Sequence, residues 1–236
     1  MPRSCALPIV AISLALLCSP GQNVAAGSTA SPFERILAGF DTTAPAAYRA
    51  FRRLEAGIIG SSRHGWLEVW TELNSNEMTF EVADEGGHEY VRNKILRKVL
   101  ANEQQLIARR VPLHAPLVAQ NYNFGDGGTT DAGLQRVILK AARKSHGVVN
   151  GALFFAPDAG YVSRIEGRLV KSPSFWVSDV DVTWTFARIG DHVLPVEMTS
   201  FGRVKMLGRS QFKMIYEYVS VDGRGAPLNA RLRHQR

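Results

Sequence analysis

Asp179, Asp181 and Thr183 alternate with valines in Asp179-Val180-Asp181-Val182-Thr183, a DxDxT string of the kind that presents an aspartate nucleophile to phosphorus in some phosphatases. Such a nucleophile works only where the chain leaves its strand and the carboxylate reaches the substrate. Here the polar and apolar alternation runs on through Trp184 and Phe186, which predicts a solvated strand face carrying both carboxylates. The six histidines, His64, His88, His114, His146, His192 and His234, fall in predicted turns, loops or the tail, with no HExxH and no pair spaced for one helix face. Neither Gly-x-Ser-x-Gly nor Ser-x-x-Lys occurs in a strand-to-helix elbow. Gly125-Asp126-Gly127-Gly128 lacks the order of a phosphate-binding loop. The residues therefore predict no catalytic group, no metal ligand and no cofactor.

The apolar residues carry more. Over 176–221 the chain reads as three long consecutive strands with period-two patterning. Val180, Val182, Trp184 and Phe186 share one face of the first. Leu194, Val196, Met198, Val204 and Met206 share one parity in the second, and Phe212, Met214, Tyr216 and Tyr218 in the third. A thirteen-residue strand spans roughly 44 Å, so a sheet of such strands must curl or wrap something. Methionine adapts its shape to variable apolar partners. The expected wall of a hydrophobic cavity is accordingly Val180, Val182, Trp184, Phe186, Val196, Met198, Met206, Phe212, Met214 and Tyr216. A sealed core is the alternative use of the same face.

Residues 1–26 read as an export signal, with Arg3 before an apolar run from Cys5 to Cys18 that is too short to span a bilayer, and Val24-Ala25-Ala26 at the cleavage position. Cys18 follows Leu17, where lipidation wants a small residue, so simple export to the periplasm is the expectation. Both cysteines lie in that signal, which leaves the processed chain without disulfide, thiol nucleophile or thiolate metal site. The chain holds 28 Lys and Arg against 21 Asp and Glu. That excess favours anionic partners, and for an exported protein a transient contact with an anionic membrane surface fits better than nucleic acid.

Elements to position these residues follow from local signals. After a lead over 27–40, Asp41 to Pro45 reads as a helix start, and Tyr48, Phe51 and Leu54 at three-residue spacing predict a helix over 45–57. Strands are expected over 66–73 and 78–83, then the longest helix over 89–109, with Val91, Ile95, Val99, Leu106 and Ile107 as its apolar stripe. Residues 121–133 read as a glycine-rich loop, 134–143, 148–156 and 161–170 as strands, and 224–236 as a basic tail. The expected fold is α+β, one domain over 41–223, in which short connections make a strongly curved antiparallel sheet with two helices on its concave face.

Several segments resemble a group of exported bacterial proteins: Tyr48-Arg49-Ala50-Phe51-Arg52-Arg53-Leu54-Glu55-Ala56, Trp66-Leu67-Glu68-Val69-Trp70-Thr71-Glu72, Asn121-Tyr122-Asn123-Phe124, Gly167-Arg168-Leu169-Val170-Lys171-Ser172-Pro173-Ser174-Phe175-Trp176, Pro195-Val196-Glu197-Met198-Thr199-Ser200 and Gly208-Arg209-Ser210-Gln211-Phe212. The resemblance spans most of 45–223. That group is similar in layout to the LolA-like superfamily of periplasmic lipoprotein carriers. It implies an incomplete barrel that holds a lipid, an acylated protein or a similar amphiphile without catalysis. The carriers' cargo-contacting arginine is not assigned to any arginine here. The competing expectations are a secreted hydrolase acting through loop carboxylates or histidines, and a partner-binding module of an envelope complex. Cargo and oligomeric state are not set by the sequence.

Overall fold

The computed structural model describes residue 37 and residues 45–110, 116–158, 160–172 and 177–226. The predicted signal, nearly all of the lead, His114, His234 and the tail from 227 lie outside the described residues.

Residues 45–57 are not helical. They fall in β1 (Ala47–Ile58), whose inward residues are Ala50, Arg52, Leu54 and Ala56 and whose outward ones are Phe51, Arg53 and Glu55. The three-residue rhythm of Tyr48, Phe51 and Leu54 mixes the two faces, and an arginine among the inward positions hides the period of two. Strands β2 (His64–Asn74) and β3 (Glu77–Gly87) complete a meander with β1. Residues 122–129, expected as loop, form β4 (Tyr122–Thr129). Its glycines serve a bulge between Asp126 and Thr129, where Gly128 has φ 71 and donates its N–H to Asp126 Oδ1 at 2.8 Å.

From β4 the chain runs as a second meander through β5 (Gln135–Ala141), β6 (Val149–Ala156), β7 (Tyr161–Leu169), β8 (Val177–Ile189), β9 (His192–Val204) and β10 (Gly208–Val221). The short β11 (Arg224–Gly225) pairs with β10, so the first residues assigned to the tail belong to the sheet. All eleven strands make one open, curved antiparallel sheet in the order β3-β2-β1-β10-β9-β8-β7-β6-β5-β4. The two meanders join where β1 pairs with β10 from Tyr48↔Val221 to Ile58↔Ser210.

A helix, α1, covers residues 89–108. It consists of Glu89–Val91, a π-helical turn Arg92–Leu96 and Arg97–Ala108. The π turn adds one residue to its repeat and rotates the stripe. Leu96 and Leu100 are fully buried, whereas Ile95, expected in the stripe, is exposed. The helix packs on β1, β2 and β3. Glu85 of β3 pairs with Arg92 and Arg97, Gln104 Nε2 donates to Met78 O at 2.8 Å, and the buried Arg52 pairs with Glu103.

Inner-face packing falls into two clusters. One gathers Leu54, Leu67, Val69, Met214, Tyr216 and Tyr218 under α1. The other gathers Leu139, Val149, Leu153, Val162, Ile165, Val182 and Phe186, with Leu117 and the half-buried Leu37 against it. On β6 and β7, Gly151 and Gly167 face each other directly, and a Cβ on Gly151 would lie 2.0 Å from Glu166 O. No side chain fits there without separating the strands. Gly151→Ala is expected to destabilise the fold by about 1–3 kcal/mol, the usual cost of overpacking, seen as a lower midpoint in urea unfolding.

Candidate functional site

Directly opposed residues in a sheet share a face, so register alone traces a line of side chains across the inner surface. Leu67 opposes Leu54, which opposes Met214, then Met198 and Trp184. Ile165, Leu153 and Val137 continue the row. Eight consecutive strands thus contribute one apolar residue each. Leu67, Leu54 and Met214 are buried at one end, and Ile165 and Leu153 toward the other, whereas Met198 and Trp184 in the middle are only half-buried. Phe212, also half-buried, lies on the same face one pleat away, opposite Ser200, which in turn opposes Val182. Between two packed clusters the inner face therefore keeps a partly open strip of Trp184, Met198 and Phe212.

The ten expected wall residues divide over this face. Val180, Val182 and Phe186 are buried in the cluster on the β4–β8 side, and Trp184 packs against it. Met214 and Tyr216 are buried in the cluster under α1, with Met198 and Phe212 against them. Val196 is half-buried at the register shift where Phe186 opposes Pro195 and Thr185 opposes Glu197. Met206 does not belong to the wall. It is 97% exposed, in the turn between β9 and β10, because β9 ends at Val204 and the turn breaks the parity that sequence alternation extends.

Beneath α1 lies a polar group that the alternation conceals. The Arg52 guanidinium is fully buried and sits 4.4 Å from the Tyr216 ring centroid. Its Nη2 donates to Glu103 Oε2 at 2.7 Å, to Met214 Sδ at 2.8 Å and to Tyr216 Oη at 3.2 Å, while Nε and Nη1 have no protein acceptor. Burial works against the charge, but Tyr216 and Glu103 more than offset it and hold the Arg52 pKa above its ordinary value. Tyr218 stacks on Tyr216 at 6.0 Å and meets Tyr48 edge-on at 5.5 Å. Burial pushes the Tyr48 hydroxyl up to about 12 and lifts Tyr216 and Tyr218 well above 10. An arginine at the centre of Ala50, Leu54 and Ala56 is the sequence signal that would have revealed the cluster, had 45–57 been read as a strand.

The residues of the competing chemistry are placed differently. Asp181 is exposed and held by Arg168, Nε at 2.9 Å and Nη2 at 3.0 Å, on the outer face. The Arg168 hydrogen bond, foremost, lowers the Asp181 pKa. Asp179 sits in a bulge at φ 50. His64, His88 and His146 are exposed. His192 Nε2 lies 2.7 Å from Asp222 Oδ2 beside a cleft of about 170 Å³ that Ile189, Val221 and Arg224 also line. Asp222 Oδ1 accepts the Ala47 N–H at 2.9 Å, and that bond first, with His192, lowers its pKa. The pair thus ties the start of β1 to the end of β10. Among the described residues no three His, Cys, Asp or Glu cluster as metal ligands.

Two outcomes check the buried cluster. Glu103→Ala strands an uncompensated guanidinium and should cost roughly 3–5 kcal/mol, and Arg52→Met with Glu103→Leu should restore most of it, read from denaturant midpoints. In alkaline titration by tyrosinate absorbance, three of the six tyrosines should ionise well above the ordinary pH 10, Tyr48 at about 12. The folded state then holds protons that the unfolded chain releases above about pH 10, so stability should fall as pH rises beyond that value.

Compared with models of protein families, with curated proteins and with solved structures, the chain matches none, and its functional reading rests on this geometry.

Proposed function

We propose that this protein is a non-enzymatic periplasmic carrier, a LolA-like half-barrel that binds a lipid, an acylated protein or a similar amphiphile against the inner face of its sheet. The observation that carries this reading is the cross-sheet row from Leu67 to Val137, packed toward both ends and only half-buried at Met198 and Trp184. A plain core would bury its largest aromatic at the centre of such a row. An acyl chain laid along the strip would cover Trp184, Met198 and Phe212, gaining about 0.8 kcal/mol for each CH₂ taken from water.

Methionines beside the strip suit cargo of variable shape. Helix α1 closes one flank, tied to β1 through Arg52 and Glu103. Among the described residues, Asp181 of the hydrolase reading lies on the outer face against Arg168, and Asp222 is engaged by His192 and the Ala47 N–H.

Native mass spectrometry of the protein from its own host should show co-purifying lipid, and a fluorescent fatty-acid probe should bind. Met198→Glu, which puts a charge in the strip, should weaken the probe by about tenfold or more, since burying an unpaired carboxylate costs several kcal/mol. A lipid-free mass together with no probe binding rejects the carrier reading.

A further inference from the structure

The hairpin turns at the two ends of the sheet differ in charge. Antiparallel order brings residues 59–63, 142–148, 170–172 and 205–207 to one end, where they carry Arg63, Arg143, Lys144, Lys171 and Lys205 and no carboxylate. At the other end, residues 75–76, 130–134, 157–158, 190–191 and 222–223 carry Asp131, Asp158, Asp191 and Asp222 and neither Lys nor Arg.

The basic end is also greasy. Met206 and Leu207 in the β9–β10 turn are 97% and 45% exposed, and Ile59 in the adjoining β1–β2 turn is 44% exposed. The two turns touch, since Ile59 N–H donates to Arg209 O at 2.9 Å. Phe201, 46% exposed, lies on β9 behind them.

Two features of this tip work against folding. Met206 occupies the left-handed region at φ 66, where a bulky side chain is disfavoured and glycine is at home. Arg203 and Arg209 are direct cross-strand partners, both exposed, and like charges so opposed repel. Met206 belongs to neither packing cluster. Strain and repulsion kept at one exposed tip point to a role outside the fold.

We propose that this end docks on an anionic lipid surface, with Met206, Leu207 and Ile59 entering the headgroup and acyl boundary and Arg203, Arg209, Lys205 and Arg63 meeting lipid phosphates. Interleaved apolar and basic side chains match that surface, which offers negative charge outside and hydrocarbon beneath. A protein partner would have to supply carboxylates around an apolar socket, and the excess of basic side chains over the turns of this end, with Glu89 at the start of α1 and Asp179 near the start of β8 among its carboxylates, favours the broad field of a membrane. The inference extends the carrier reading by giving it the surface through which it meets a bilayer, and the experiment separates the two.

The purified full chain is floated with vesicles of phosphatidylcholine alone and of phosphatidylcholine mixed with phosphatidylglycerol. Binding is expected to the mixed vesicles and to weaken with salt. Met206→Gly relieves the backbone and should leave thermal stability equal or higher while reducing vesicle binding about tenfold. Arg209→Gln should relieve the repulsion yet reduce binding about fivefold. Both variants should keep fatty-acid probe binding unchanged. Equal binding to both vesicle types, or Met206→Gly binding like the native chain, overturns the inference. Loss of the probe by the native chain rejects the carrier reading alone.

Discussion

The pairing of β1 with β10 fixes the rest of the molecule. It joins a three-strand meander to a seven-strand one by their inner members and leaves β3 and β4 as opposite edges of the sheet. The chain must nevertheless pass directly from β3 to β4. Ten strands spaced about 4.8 Å apart make an arc of roughly 43 Å, and a helix of twenty residues spans about 30 Å. The connection over 88–121 can bridge the two edges by crossing a curled face, and α1 lies over β1, β2 and β3 as such a crossing requires. Curvature, the helix over 89–108 and the two-part core are thus aspects of one topological constraint.

That crossing sets the energetic character of the interior. A helix over a wide sheet cannot cover every strand, and α1 covers only the β1–β3 side. Its seat includes a buried ion pair, Arg52 with Glu103, where leucines on both elements would hold it as firmly. A buried pair adds little net stability but is costly to break, so it favours one register of helix on sheet over its neighbours. The π turn serves the same fit, since it rotates Leu96 and Leu100 inward. Beyond the reach of the helix the sheet is covered partly by Leu37 and Leu117, and Trp184, Met198 and Phe212 stay half-buried where the two clusters meet the middle of the sheet.

How far this was legible in the amino-acid order depends on which residues stood inside. The three strands over 177–221 carry valines, aromatics and methionines on one parity, and their register follows the alternation. The helix over 89–108 was equally plain, although no periodicity announces a π turn, and the stripe was therefore misread by one residue at Ile95. The first strand was missed because its inward set is Ala50, Arg52, Leu54 and Ala56, two small residues and a cation, while Phe51 faces out. β4 was missed because an edge strand needs only one partner and tolerates the glycines of a bulge. Of the candidate wall, the positions within regular pairing share the inner face of the sheet. Met206 was lost to a turn, and Arg52 was hidden because a buried arginine reads as a surface residue until its carboxylate, 51 positions away, is known.

An open sheet of this width has two edges, and each is an invitation to pair with another chain. The edges here are treated unequally. β3 has α1 beside it, and Gln104 occupies the Met78 carbonyl, so that rim is partly closed by the protein itself. β4 has no such cover from α1, yet its bulge at Asp126 to Thr129 interrupts the ladder after a few residues, and a bulged, glycine-rich edge is a poor template. The open, curved sheet therefore ends in two edges that are poor templates for pairing with further copies of the chain.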